Sequence, residues 1–298
     1  MAVSLEFLSS PQEFLAAASG FLASAPVAGT VPASVTERVL RGDADGLPRQ
    51  GGFDYWWLVV RDEDGAVVGA GMRTASFAPW PPYLLRMPEV AAVALGRALV
   101  ERGEQVDGLN GALPAATLCA EELARLTGRT VEVAEHLRLF QLLDLVPPTR
   151  PAAGALRPAR EDEAGLTLAW YESFDRDAAE QAGHTDPPPG PEEDEASMAR
   201  RIREGTVWVW TDDADTPVCV LGLRPPSYGV SCIGPVYTPP ALRNHGYAST
   251  AVAAASGRML DDGIRPCLFT DQANPTSNAI YQRLGYVAVE DQVNQLLR

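Results

Sequence analysis

The chain has 298 residues, roughly twice the commonest domain length, so two packed units are expected, and 46% hydrophobic with 21% charged residues excludes disorder throughout. All 24 cations are arginine, and the lack of lysine excludes both a Walker A phosphate loop and a Schiff-base pyridoxal phosphate site. The formal charge of −15, divided −6 and −9 on either side of residue 150, argues against nucleic acid and anionic membranes as partners and mildly favours cationic small molecules.

In chain order, Ser10-Pro11-Gln12-Glu13 forms a capping box with proline in the first turn, and Phe14, Ala17, Ala18, Phe21 and Leu22 recur at helical spacing, so a helix begins here. The apolar stretch Phe14 to Ala28 lacks a signal peptide's positive flank, since no arginine precedes Arg38 and Glu6 is acidic. Cys119, Cys219, Cys232 and Cys267 form no CxxC, and His136, His184 and His245 are scattered, so neither a disulfide framework nor a metal site is expected. A soluble cytoplasmic protein with reduced thiols is the economical expectation.

Tyr55 to Thr74 places two β-prone segments around Asp62-Glu63-Asp64-Gly65, the pattern of a hairpin. Pro88-Glu89 then opens a helix over Val90 to Arg102. Thr206 to Pro225 repeats the hairpin pattern: at an offset of 151 residues Trp57 falls on Trp208, Val67 on Val218, Gly71 on Gly222 and Arg73 on Arg224. An offset of half the chain suits a duplicated α/β domain, although hairpins are common and identities few. The Pro-rich stretch Val146 to Gly154 is the natural linker, which divides the chain into 1–149 and 150–298. The second half continues with a helix from Glu161 to Phe174, an acidic Pro-rich loop at Asp186 to Glu195, the hairpin, and a strand at Val230 to Thr238. A helix at Ser249 to Asp262, a strand at Pro266 to Thr270, a helix at Ser277 to Leu284 and a strand near Tyr286 to Val289 complete a mixed α/β pattern.

The chemistry concentrates in VYTPPALRNHGYAST, Val236 to Thr250. A strand runs into Pro239-Pro240, which cannot continue a ladder, and then through Arg243-Asn244-His245-Gly246-Tyr247-Ala248 into an Ala-rich helix. Such a loop presents unpaired N–H groups and the positive end of the helix dipole, with Gly246 and Ala248 keeping side chains away, and suits a diphosphate. An ordinary strand-to-helix turn has the same local pattern. About thirty residues later comes ANPTSNAIYQRLGY, Ala273 to Tyr286. Together the two segments resemble the GNAT superfamily of N-acetyltransferases: RNHGYA fits its RxxGxA pyrophosphate loop, and NPTSNAIYQRLGY its late helix with a closing Gly-aromatic pair. The resemblance covers roughly Gly154 to Arg298.

The resemblance implies a mixed sheet flanked by helices, in tandem GNAT-like domains, and acetyl-CoA as acyl donor. The strand ending Val236-Tyr237-Thr238 would splay from its neighbour and pair with the pantetheine arm, an N–H near Val236 or Tyr237 polarising the thioester carbonyl. Backbone amides of Arg243, Asn244, His245, Gly246, Tyr247, Ala248 and Ser249 would hold the pyrophosphate. Asn274 and Ser277 would hydrogen-bond the cofactor arm, and Tyr281 would protonate the departing thiolate. The residues also admit plainer roles: Tyr281 as a core-edge aromatic, Asn274 as a turn residue or cap, Asn278 as a packing residue, His245 as a spectator.

No acid stands on the strand from Val230 to Thr238, so the base that deprotonates the attacking amine is not evident; Glu172 and Asp175 are candidates by location, and ordered water is the default. The first half has no RxxGxA after its hairpin, reading ASFAPWPPYLLRMPEV instead, so it is expected to be a degenerate copy without the cofactor motif. It would serve as scaffold, as a wall of the amine pocket, or as a pseudo-partner within a monomer. Gly229 to Gly234 misses the GxSxG elbow by one residue, and Gly69 to Thr74 fails GxGxxG. The leading expectation is acyl transfer from acyl-CoA to a primary amine of a small molecule or peptide by direct attack. A non-catalytic acyl-CoA binding or sensing protein is the alternative.

Overall fold

A computed structural model describes residues 2–49, 51–183 and 193–298; most of the acidic loop expected at Asp186 to Glu195 lies outside them. The elements are β1 (Val3–Leu8), α1 (Pro11–Ser24), α2 (Thr30–Ala44), β2 (Trp56–Asp62), β3 (Val67–Arg73), β4 (Tyr83–Leu84), α3 (Glu89–Glu101), β5 (Gly108–Ala112), α4 (Ala115–Thr127) and β6 (Val131–Gln141). They continue with β7 (Ala155–Pro158), α5 (Ala164–Ala182), α6 (Glu195–Arg203), β8 (Val207–Thr211), β9 (Pro217–Leu223), β10 (Val230–Tyr237), α7 (Tyr247–Asp261), β11 (Arg265–Asp271), α8 (Pro275–Arg283) and β12 (Val287–Leu297). Two compact units result. The first runs to Arg138 and takes in Glu290–Arg298; the second comprises the described residues from Leu139 to Val289.

In the first unit the strand order is β1-β2-β3-β4-β5-β12-β6. The α1 start follows its sequence signature: Ser10 Oγ accepts the Glu13 amide at 3.2 Å, Pro11 occupies the first turn, and Phe14, Ala18 and Leu22 are buried one turn apart. Leu58, Val60, Leu95, Leu99, Leu109 and Leu123 form the core between the sheet and helices α3 and α4. Each such side chain contributes about 1.5–3 kcal/mol by leaving water. The closing strand β12 comes from the far end of the chain, pairing Gln292 with Ala112, Val293 with Gly111 and Asn294 with Asn110, and adding Val293 and Leu297 to this core.

That arrangement revises the division at 149/150. Val146 to Gly154 is free of helix and strand, as expected, but it packs within the second unit: the Val146 amide donates to Leu284 O at 2.9 Å and the Ala152 amide to Thr250 Oγ1 at 2.9 Å. The boundary falls instead within β6, and the last residues return to the first unit.

In the second unit β11, β10, β9, β8 and β7 lie in that order, with the Leu142 amide donating to Pro266 O at 2.9 Å beside β11. One core joins Phe140, Leu142, Val252, Leu268, Leu284 and Tyr286 around α7. Another joins Met198, Val207, Val209 and Val220 beneath α5 and α6.

Both expected hairpins form, and their turns match in detail. Asp62 Oδ1 accepts the amides of Asp64 and Ala66, and Asp212 Oδ1 those of Ala214 and Thr216; Gly65 (φ 80°) and Asp215 (φ 60°) take the same left-handed position. The strands slip register at Val60/Arg61 in one hairpin and at Trp210/Thr211 in the other. These equivalences set the offset at 150, one less than the tryptophan alignment suggests. A slip of one residue reverses the face of every strand side chain. Trp57, fully buried and donating to Thr36 Oγ1, therefore corresponds to Val207 rather than to the half-buried Trp208.

Candidate functional site

The parallel ladder between β10 and β11 pairs Val230 with Arg265, Ser231 with Pro266 and Cys232 with Cys267, and ends there. Beyond Cys232, β10 keeps only its β9 neighbour: Ile233 faces Leu223, the register shifts, and Val236 and Tyr237 face Leu221 and Val220. The ladder thus stops before Val236-Tyr237-Thr238, the segment where a splay is expected. Gly234, at φ 149°, lies within the shift. A Cβ on Gly222 would stand 2.4 Å from Gly234 O and 2.8 Å from Tyr171 Oη, so only glycine lets β9 pass the bulge. Gly222→Ala is expected to destabilise the protein by about 1–3 kcal/mol through overpacking, read as a lower Tm; an unchanged Tm would mean that the bulge moves freely.

After β10 the chain turns through Asn244 (φ 67°) and Gly246 (φ 80°), two left-handed residues that aim it into α7. No side chain caps the α7 N-terminus, and a Cβ built on Gly246 would meet only Ser249 Oγ, at 3.9 Å. The first amides of α7, those of Tyr247, Ala248 and Ser249, thus have no side-chain cap. Ser249 Oγ donates to Gly246 O at 2.9 Å, and His245 stacks on Tyr247 with ring centroids 5.6 Å apart, its Nδ1 2.9 Å from Arg243 O.

Two residues that sequence reasoning missed fix this turn and the strand before it. Asp177 Oδ2 accepts the Tyr237 hydroxyl at 2.9 Å and pairs with Arg243 Nη2 at 2.5 Å, while Arg243 Nε donates to Thr238 O at 3.1 Å. The Arg243 side chain is thereby tied down to α5, leaving its backbone for the turn. The Tyr171 phenol, pushed up to about 12 by burial, accepts from Arg201 at 3.3 Å and lies beside the Gly222–Gly234 bulge. Only a register of sequence positions sixty or more apart unites Asp177 with Tyr237 and Arg243, so no local pattern marks it.

On the other arm, Asn274 caps α8, its Oδ1 accepting the Ser277 amide at 3.0 Å. Asn278 Nδ2 donates to Asp271 O and to Asn274 O. Tyr281 is half-buried, its ring edge-on to Tyr286 at 5.9 Å, and its hydroxyl has no hydrogen-bond partner among the described residues. Burial pushes its phenol well above the ordinary tyrosine value, and proximity to Cys219 and Cys232 adds to the shift. Tyr281 packs against the core that contains Cys219 and Ile233, the residue after the last rung of the ladder. Both candidate bases, Glu172 and Asp175, are exposed; partial desolvation and then the Glu193 charge hold Asp175 above its usual value. A depression of about 500 Å³ over the Leu145 to Pro151 segment and α7 reaches none of these groups.

The profile of the Acetyltransferase (GNAT) family matches residues 168–286, spanning every element of this geometry from α5 to the end of α8. The second unit is a GNAT-family domain. Solved structures extend the likeness of fold to the whole chain. A GCN5-related N-acetyltransferase from Sphaerobacter thermophilus is 18% identical with a TM-score of 0.56, covering 98% of this chain and 94% of its own. A Drosophila protein gives 14% identity and a TM-score of 0.64, with 98% of each chain covered. A tandem GNAT protein from the clavulanic acid biosynthesis pathway gives 16% and 0.54, again over 98% of each. No curated protein sequence matches the chain.

Within the GNAT domain, Asp177 ties the end of β10 to the turn at Arg243. Asp177→Ala is expected to raise the KM for the acyl donor about threefold to tenfold, with kcat little changed, because the turn loses a hydrogen bond and an ion pair that are both partly buried. Steady-state kinetics check this, and a fall in kcat alone would place Asp177 elsewhere in the reaction.

Proposed function

We propose that the GNAT domain transfers an acetyl group from acetyl-CoA to a primary amine of a small molecule or peptide, by direct attack with both substrates bound. The observation that carries this reading is the end of the β10–β11 ladder at Cys232, with Tyr281 packed against the core that includes the adjoining Ile233. The residues fit the donor. The hydroxyl of Thr238 is buried without a hydrogen-bond partner on the arm assigned to pantetheine, and the mouth of α7 is open around Gly246. Backbone amides from Asn244 to Ser249 hold the pyrophosphate in this reading, that of Arg243 already donating to Pro240 O at 3.3 Å, and Val236, Tyr237 and Thr238 align the pantetheine arm; Ser277 borders it, while the Asn274 oxygen serves as helix cap.

Acetyl-CoA supplies the activated acyl group. The chain supplies a backbone N–H at Val236 or Tyr237 to stabilise charge on the thioester oxygen, and Tyr281 Oη gives its proton to the departing sulfur. Fixing both reactants along one open strand removes much of the entropy of encounter. Ordered water is the default acceptor of the ammonium proton in this reading, with Asp175, an exposed carboxyl held above its usual value, as the side-chain candidate. The first unit, whose β4 leads to Pro88 at the α3 N-cap without a glycine turn, is a copy that has lost the cofactor motif. Four buried free thiols suit a reducing compartment such as the cytoplasm.

The absence of a carboxylate on β10 favours one second reading, an acyl-CoA binding or sensing protein without turnover. Isothermal titration with acetyl-CoA, followed by thiol release over an amine panel, separates the two. Binding with amine-dependent release supports transfer; binding with release no faster than hydrolysis supports sensing; no binding removes both.

A further inference from the structure

The first unit contains a cavity of about 390 Å³ between the α1–α2 turn and the segment Leu85–Pro88 that follows β4. Phe21, Leu22, Ala28, Val68 and Met87 give it an apolar wall. Gly69 permits this closeness, since a Cβ there would stand 2.4 Å from Met87 Cβ. Among the described residues, Arg86 and Glu290 are the only charged ones that line it.

These two are unlike in exposure. The Glu290 side chain is 4% exposed and that of Arg86 61%, with Arg86 Nε 2.6 Å from Glu290 Oε2. Glu290 is held from behind: its Oε1 accepts from Gln292 Nε2 at 3.0 Å, and Gln292 Oε1 accepts the Tyr83 hydroxyl at 2.6 Å. A buried carboxylate thus faces the guanidinium as an ion pair, its Oε2 having no hydrogen-bond partner among the described residues. The two Nη groups of Arg86 make no hydrogen bond to any described residue and form a donor fork at the rim of an apolar cavity. Such a fork matches a carboxylate in bidentate fashion, and cavities of a few hundred Å³ suit small organic ligands.

We propose that the first unit binds a small apolar monocarboxylate, such as a medium-chain alkanoate, with its tail in the cavity and its carboxylate on the outer edge of Arg86. A cationic ligand fits less well, because Glu290 Oε2 has no accessible surface and already faces Arg86. The site is separate from the open strands of the second unit and does not rest on their function.

Titration calorimetry of the full chain with octanoate, 1-octanol and octylamine tests the assignment. Octanoate is expected to bind most tightly. Arg86→Gln should weaken octanoate at least tenfold and leave octanol unchanged, while Arg86→Lys, which retains the charge without the fork, should fall between. Ala28→Phe, which fills the cavity, should abolish binding of all three. Failure of octanoate to bind, preference for octylamine, or equal octanoate affinity in Arg86→Gln would each overturn the proposal.

Discussion

Replacing Gly246 by glutamate is expected to abolish acetyl-CoA binding, weakening it at least about a hundredfold, while the protein stays folded. Two effects add. A non-glycine residue at φ 80° costs about 1–2 kcal/mol in the left-handed region, which shifts the turn that orients the first amides of α7. The new carboxylate then occupies the uncapped helix mouth, where it takes the N–H groups for itself and repels a diphosphate. The Cβ site is open, so the substitution clashes with nothing in the fold itself. Gly246→Asn, which tolerates the left-handed conformation and adds no charge, should lie near the wild type. Calorimetry with acetyl-CoA measures the series, and an unaltered Kd in Gly246→Glu would remove this turn from the cofactor site.

Tyr281→Phe is expected to lower kcat by about 10²-fold with the acetyl-CoA Kd unchanged, the loss typical of a general acid. The ring keeps its edge-on contact with Tyr286, and the hydroxyl leaves no orphaned partner among the described residues. Burial disfavours the phenolate, so the hydroxyl remains protonated to higher pH than usual. A wild-type rate limited by this group should therefore show no falling limb below about pH 10, the ordinary tyrosine value. Equal kcat values for the variant and the wild type would reduce Tyr281 to a packing residue.

The turn at Arg243 to Ala248 and the helix carrying Tyr281 are legible in the sequence because each is local: a strand broken by Pro239-Pro240, a glycine before an Ala-rich helix, an Asn-Pro cap three residues ahead of Ser277. The hairpins are legible as pattern but not in phase, since only the Asp62 and Asp212 side-chain turns show which residues correspond. The strand β12 is read only as far as Val289, although it runs to Leu297. Its Glu290 and Gln292 are buried on one face and Gln295 on the other, so the apolar alternation that marks a half-buried strand is masked by buried polar residues. Helix α2 escapes for a related reason: it follows an apolar run and carries Pro32 in its first turn, which reads as a break. Asp177 lies beyond any such reading, because its partners are brought to it by the fold.

The placement of Glu290–Arg298 has an implication for biosynthesis. On the ribosome, the half that emerges first must wait, with β5 paired to β4 alone, until residues 290–298 have been made. Truncation before Glu290 would therefore spare the segment bearing Tyr281 and open the first unit, leaving Leu109 and Ala112 at an unprotected rim prone to coalescence and degradation.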